Sequence, residues 1–114
     1  MHELSIALSM IEGVLETAKK EGNAHVETVY LKLGAFSGVD EDALEFSYGI
    51  ACEGTPLQGS RLVIEHVPIV IYCPTCNAER TLPSQQQLYC PECQSLAYDI
   101  RSGRELEITA LEIT

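Results

Sequence analysis

The residues predict a two-layer α+β fold with a small metal-stapled lobe inserted before the last strand. Three observations carry that class. Two apolar helical stripes alternate with strand-like segments, two Cys-x-x-Cys pairs follow close together, and an alternating stretch closes the chain. The order helix, strand, helix, strand, cysteine hairpins, strand divides the 114 residues into an α/β lobe over 1–69 plus 104–114 and a cysteine lobe over 70–103.

Leu4, Ala7, Leu8, Ile11, Val14, Leu15 and Ala18 recur at helical spacing, with Glu12 and Glu16 on the opposite side. Lys19 and Lys20 suit the C-terminal end of the helix dipole, and Gly22 can take a left-handed cap. From Glu27 to Gly34, Val29, Leu31 and Leu33 alternate with Thr28, Tyr30 and Lys32, the pattern of a half-buried strand. A turn over Gly34–Gly38 leads to Asp40, placed to cap a second helix with Glu41 and Asp42 in its first turn. Ala43, Phe46 and Ile50, with Leu44, Tyr48 and Ala51, give that helix its apolar side, and Gly54 and Pro56 end it. Cys52 reads as a small buried hydrophobe.

Gln58-Gly59-Ser60 turns into a strand over Arg61–Val67, with Leu62 and Ile64 facing one way. Ile69–Tyr72 enters the first cysteine pair. Ala78–Leu82 and Gln86–Tyr89, joined around Pro83-Ser84, read as a hairpin between the pairs, and Leu96–Ile100 follows the second. In the last strand Leu106 and Ile108 alternate with Glu105, Glu107 and Thr109. The phase slips at Ala110-Leu111, so Leu111 and Ile113 change face unless a bulge absorbs one residue.

Tyr72-Cys-Pro-Thr-Cys76 and Tyr89-Cys-Pro-Glu-Cys93 form an internal repeat separated by thirteen residues. One Cys-x-x-Cys turn aims two thiolates at a point, and two such turns complete the tetrahedron that Zn(II) accepts in closed structural sites. Cys73, Cys76, Cys90 and Cys93 are therefore the expected zinc ligands. A lobe over 70–103 falls below the roughly 40 residues at which a chain folds without a staple. Structural zinc supplies apparent free energy on the order of 10–16 kcal/mol, which becomes folding energy. Four thiolates close the coordination shell, so the zinc is scaffold. A rubredoxin-like iron electron carrier would use the same knuckles, and a disulfide or thioredoxin-like dithiol is a further alternative. Redox dithiols need one pair at a strand-to-helix junction, whereas both pairs here lie between strand-like segments.

Lys and Arg number 7 against 17 Asp and Glu, a net charge of −10. So acidic a chain repels phosphate, and the cysteine lobe holds Arg80 and Arg101 against Glu79, Glu92 and Asp99; no nucleic-acid partner is expected. The start lacks a basic n-region, no stretch approaches the ~20 apolar residues of a membrane span, and an odd count of five cysteines suits a reducing compartment. The expectation is a cytoplasmic protein with no membrane partner. No Ser/His/Asp pattern, phosphate loop or paired carboxylates point to catalysis, so a binding protein is expected rather than an enzyme.

The sequence begins Met1-His2-Glu3. An early His and Glu are ordinarily solvated residues ahead of a helix, with Glu3 favoured by the dipole. They also make a chelating set. The His2 imidazole and backbone nitrogen close a six-membered ring on a metal, with the Met1 amine and the Glu3 backbone nitrogen one ring away on either side. Square-planar nitrogen ligation selects Ni(II) or Cu(II) over Zn(II). His25 and His66 read as surface or structural histidines.

Met1-His2-Glu3-Leu4-Ser5-Ile6, Gly34-Ala35-Phe36-Ser37-Gly38-Val39, the two cysteine knuckles and Glu105-Leu106-Glu107-Ile108 together resemble the HypA/HybF family of nickel metallochaperones, which serve [NiFe]-hydrogenase maturation. The resemblance spans the whole chain. It implies two helices packed on a three-stranded sheet as a nickel-binding lobe, beside a zinc ribbon. It further implies Ni(II) as cargo at His2, with the Met1 amine and Glu3 backbone as co-ligands. Asp40 matches a position sometimes drawn into the nickel site, although its capping role explains it equally well. The implied partners are the GTPase HypB and the hydrogenase large-subunit precursor, and service to urease maturation factors is left open. A zinc-ribbon adaptor with no nickel role is the competing reading.

Overall fold

The computed structural model describes residues 2–83 and 88–114. The elements run α1 (Glu3–Lys20), β1 (Val26–Gly34), α2 (Glu41–Cys52), β2 (Arg61–Val67), β3 (Ile69–Cys73), β4 (Ala78–Leu82), β5 (Asp99–Ser102) and β6 (Leu106–Ile113). They form two three-stranded sheets, ordered β2-β1-β6 and β4-β3-β5, which with the two helices is the α+β class expected. The chain divides into two compact units. The first comprises Met1–Leu31, Val39–Ile64 and Ile108–Thr114; the second comprises Lys32–Gly38 and Glu65–Glu107, and contains the whole 70–103 segment. No helix among the described residues is long and apolar enough to cross a membrane.

In the first unit α1 starts with Glu3 and ends with Lys19 and Lys20, charges that suit the two ends of the dipole. Past its end Gly22 is left-handed (φ 78°). α1 and α2 bury matching rows. Ala7 and Leu44 share one apolar cluster with Leu31, while Ile11, Val14 and Ala18 join Tyr48, Cys52, Val26, Val29 and Leu57 in another. Both rows advance in the same sense, so the helices pack side by side from their N-terminal ends.

The expected stripes need correction at their edges. Leu4 and Leu8 are 46% and 52% exposed, and the buried row instead includes Glu3. On α2, Phe46 is 71% exposed and Ile50 44%, while Ser47 and Cys52 are buried. A periodic stripe gives the direction of a helix face but not how far the neighbouring layer extends, and these residues lie beyond its reach. Cys52 is a buried hydrophobe as expected.

β1 is the central strand, and Val29, Leu31 and Leu33 are buried. β6 lies at the sheet edge. Leu106 and Ile108 are exposed and Leu111 packs on the first unit's core, as the slip in phase expects, but Ile113 is exposed and does not follow Leu111 inward.

In the second unit β3 is central. It pairs with β4 in the register Ile69↔Leu82, Ile71↔Arg80 and Cys73↔Ala78, and with β5 through Val70↔Ser102 and Tyr72↔Asp99. A hairpin joins β3 and β4 around the first knuckle, while the expected one between Ala78–Leu82 and Gln86–Tyr89 falls partly outside the described residues. Much of that second arm lies outside the described residues, and Tyr89 instead bridges Leu96. The expected Leu96–Ile100 strand begins later, at Asp99.

Candidate metal centre

Backbone geometry delivers the four thiols of the second unit to one place. β3 ends at Cys73, and the Cys76 N–H donates to Cys73 Sγ at 3.3 Å across the knuckle turn. Asn77 takes a left-handed φ of 56° and accepts from the Tyr72 hydroxyl, which closes that turn. The second knuckle repeats the device: the Gln94 N–H donates to the Cys90 carbonyl, and the Cys90 N–H to the Ser95 carbonyl, both at 2.8 Å. Gln94 is also left-handed, with φ 68°.

All four Sγ atoms lie within 4.8 Å of one another. Cys73 and Cys93 approach to 3.4 Å, Cys76 and Cys90 to 3.8 Å, and none is in a disulfide. A disulfide needs about 2.05 Å. Zn–S bonds of about 2.3 Å place tetrahedral sulfurs about 3.8 Å apart. The close pairs join one knuckle to the other, as two facing turns require. The donor set therefore fits a tetrahedral Zn(II).

Electrostatics points the same way. Backbone hydrogen bonding from Cys93, then from Glu92, brings the Cys90 thiol down to about 6. The Ser95 hydroxyl lowers Cys93. Arg80 pulls Cys76 down, but Cys93, burial and the other thiols together push it up to about 11. Four thiols this close do not all ionise unaided. A divalent cation supplies the missing positive charge.

At the start of the first unit, His2 is exposed and occupies the N-cap of α1. Its carbonyl accepts from the Ile6 N–H at 2.9 Å, and its side chain makes no capping bond. Glu3 is 7% exposed, and its Oε2 accepts from the Asp40 N–H at 3.2 Å. The Glu3 carboxyl is held down at about 2 by hydrogen bonding, to the N-terminal ammonium first and then to that Asp40 N–H. Asp40 Oδ1 in turn accepts from the Ala43 N–H at 2.9 Å, the expected α2 cap. Residues 2–3 and 40 are thereby brought to one end of the helix pair. Met1 lies outside the described residues. His25 and His66 are both exposed.

Two roles escape a reading by motif. The Glu3 side chain ties α1 to α2, and no local pattern signals a partner 37 residues away. Arg80 is in phase with buried Leu82 along β4, a legible sign that a charged side chain faces inward.

The family model described as "Hydrogenase/urease nickel incorporation, metallochaperone, hypA" matches residues 1–113. A Hydrogenase maturation factor HypA from Chloroflexus aggregans is 48% identical over 112 residues, covering 98% of each chain. One from Aeromonas hydrophila is 34% identical over 114 residues, covering 100% of each. The fold is similar to the solution structure of the Ni metallochaperone HypA from Helicobacter pylori, with TM-score 0.63 at 23% identity over 99% of this chain and 97% of that one. A second HypA solution structure gives TM-score 0.68 at 23% identity, covering 100% of this chain and 97% of the other. With the four-cysteine cluster and the two-helix α+β fold beside these matches, the chain belongs to the HypA family of hydrogenase/urease nickel-incorporation metallochaperones.

Proposed function

We propose that this protein carries Ni(II) at its N-terminus for insertion into a [NiFe]-hydrogenase, and holds a structural Zn(II) through Cys73, Cys76, Cys90 and Cys93. Residues 1–69 plus 104–114 form the nickel lobe and 70–103 the zinc lobe. The protein acts by binding and release rather than by catalysis, in the cytoplasm. The supporting observation is the His2 imidazole, exposed at the helix cap and making no capping bond, while its own carbonyl is anchored by the Ile6 N–H.

The first N–H groups of a helix have no intrahelical acceptor. The His2 and Glu3 amides can therefore exchange their protons for Ni(II), the protons leaving to solvent, without breaking the α1 ladder. The His2 imidazole and the two amide nitrogens can fill three positions of a square plane, with the Met1 amine a candidate for an additional donor, and nitrogen ligation of this kind selects Ni(II) over Zn(II). The Glu3 carboxylate, bonded to the Asp40 N–H, fixes the segment from below. The Asp40 carboxylate caps α2 and stands as an outer candidate for the nickel shell. Bound at four thiolates, Zn(II) supplies folding energy to the second unit, whose apolar core is small: Ile69, Ile71, Leu82 and Ala97 around the sulfurs. Acceptors of the cargo are the GTPase HypB and the hydrogenase large-subunit precursor, with urease maturation factors as a second route.

The test is a Ni(II) titration of wild type and His2→Ala, each shown to retain zinc. The proposal expects His2→Ala to lose most of the affinity; equal affinity removes His2 from the site.

A further inference from the structure

Directly opposed residues of an antiparallel pair project to the same face. The register Ile69↔Leu82, Ile71↔Arg80 and Cys73↔Ala78 therefore sets Arg80 in a row with Ile69, Ile71, Leu82 and Cys73, all buried. A guanidinium among apolar groups and thiols needs acceptors, because a desolvated charge is costly unless paired. The Arg80 Nε is sealed from solvent and has no hydrogen-bond partner among the described residues. On the other face, Glu79 and Asp99 are engaged by Arg101, at 3.6 and 3.0 Å, and Arg101 stacks over Tyr72 at 4.6 Å. Among the described residues, the sulfurs are the acceptors this buried row faces. Cys76 and Cys90, whose sulfurs lie 3.8 Å apart, belong to the same cluster as that row.

The other thiols have donors of their own. Cys73 receives the Cys76 N–H, Cys90 the backbone of Cys93 and Glu92, and Cys93 the Ser95 hydroxyl. We propose that Arg80 is a positioning residue of the zinc site: its N–H groups donate to the Cys76 and Cys90 thiolates, offset part of the negative charge of the four-thiolate complex, and hold the metal against protons and electrophiles. This rests on the zinc reading of the four cysteines. Outer donors of this kind typically matter by roughly 10–100-fold in metal affinity.

The experiment uses the zinc-loaded full chain as wild type, Arg80→Met and Arg80→Lys. Methionine keeps an apolar stem for packing, and lysine restores the charge. Zinc transfer to a chromogenic chelator is followed from pH 5 to 8, and iodoacetamide labelling of each cysteine is mapped by mass spectrometry. Arg80→Met is expected to release zinc roughly 10–100-fold more readily, at a higher pH, with Cys76 labelled first, and Arg80→Lys to recover part of the loss. Wild-type release and labelling in Arg80→Met overturns the proposal. Should Arg80→Met not fold, the wild type loaded with 113Cd in place of zinc decides: scalar coupling between the metal and an Arg80 guanidinium N–H supports the proposal, and no such coupling overturns it. A wild type without stoichiometric zinc sinks the zinc reading, and the proposal with it, before any variant is made.

Discussion

Cys73 Sγ lies 3.4 Å from Cys93 Sγ, a contact between sulfurs of different knuckles. That separation is too long for a disulfide and close to a zinc tetrahedron's edge. One metal should therefore set the stability of the second unit. Chelation of zinc, or Cys90→Ser, is expected to melt the β3–β5 resonances in an NMR spectrum and leave the α1 and α2 resonances in place, given separate cores in the two units. The protein should be colourless with one zinc per chain by elemental analysis. A visible thiolate-to-iron band would assign iron instead.

Asp40 caps α2 through Oδ1, with the Ala43 N–H 2.9 Å away. Asp40→Ala should cost about 0.5–2 kcal/mol in thermal or urea unfolding, while Asp40→Asn, an equally good cap, should hold stability within a few tenths. The same pair sorts cap from ligand. A fall in Ni(II) affinity in Asp40→Asn at unchanged stability would add the carboxylate to the nickel shell.

Gly34 and Gly103 touch backbone to backbone. A Cβ on Gly34 would lie 2.1 Å from the Gly103 carbonyl oxygen, and one on Gly103 2.9 Å from Ile69 Cα at a φ of 116°. The Phe36 N–H donates to that Gly103 carbonyl at 2.6 Å, so the contact is held in place. Gly34→Ala should destabilise the second unit by about 1–3 kcal/mol or more, as overpacking does. Gly49→Ala, inside α2 with nothing within 4 Å, is the contrasting control and should stabilise by roughly 0.5–1 kcal/mol in a urea melt.

Tyr48 is buried beside Cys52, and its hydroxyl shares a 2.7 Å bond with Ser60 Oγ. Burial pushes its pKa from 10 up to about 12, and burial raises that of Cys52 as well. The folded state thus keeps a proton that the unfolded chain gives up first. This stability is present in full below pH 10 and is lost as pH rises toward 12, a change on the order of 1–2 kcal/mol for Tyr48. Urea midpoints measured from pH 8 to 11.5 should fall steeply in wild type and less so in Tyr48→Phe.

Legibility in the sequence followed the range of each interaction. The knuckles and the Asp40 cap are local devices, written within four residues, and they stand where spacing put them. Helix and strand periods located α1, β1 and α2 because each period belongs to a single element. Extent of burial depends on other elements: Leu8 and Phe46 follow apolar periodicity yet face outward, while Glu3 is buried because Asp40 lies across from it. Pairing partners were illegible for the same reason. Ala78–Leu82 has an alternating pattern that suits either neighbour, and among the described residues it joins β3.

The division between a nitrogen site at the N-terminus and a sulfur site in the second unit is tested most directly by nickel K-edge X-ray absorption on the protein loaded with one zinc and one nickel per chain. The account predicts a nickel shell of nitrogen and oxygen with an imidazole outer-shell signal that disappears in His2→Ala, and a zinc shell of four sulfurs unchanged by nickel. Sulfur in the nickel shell, or a nickel spectrum indifferent to His2→Ala, would contradict it.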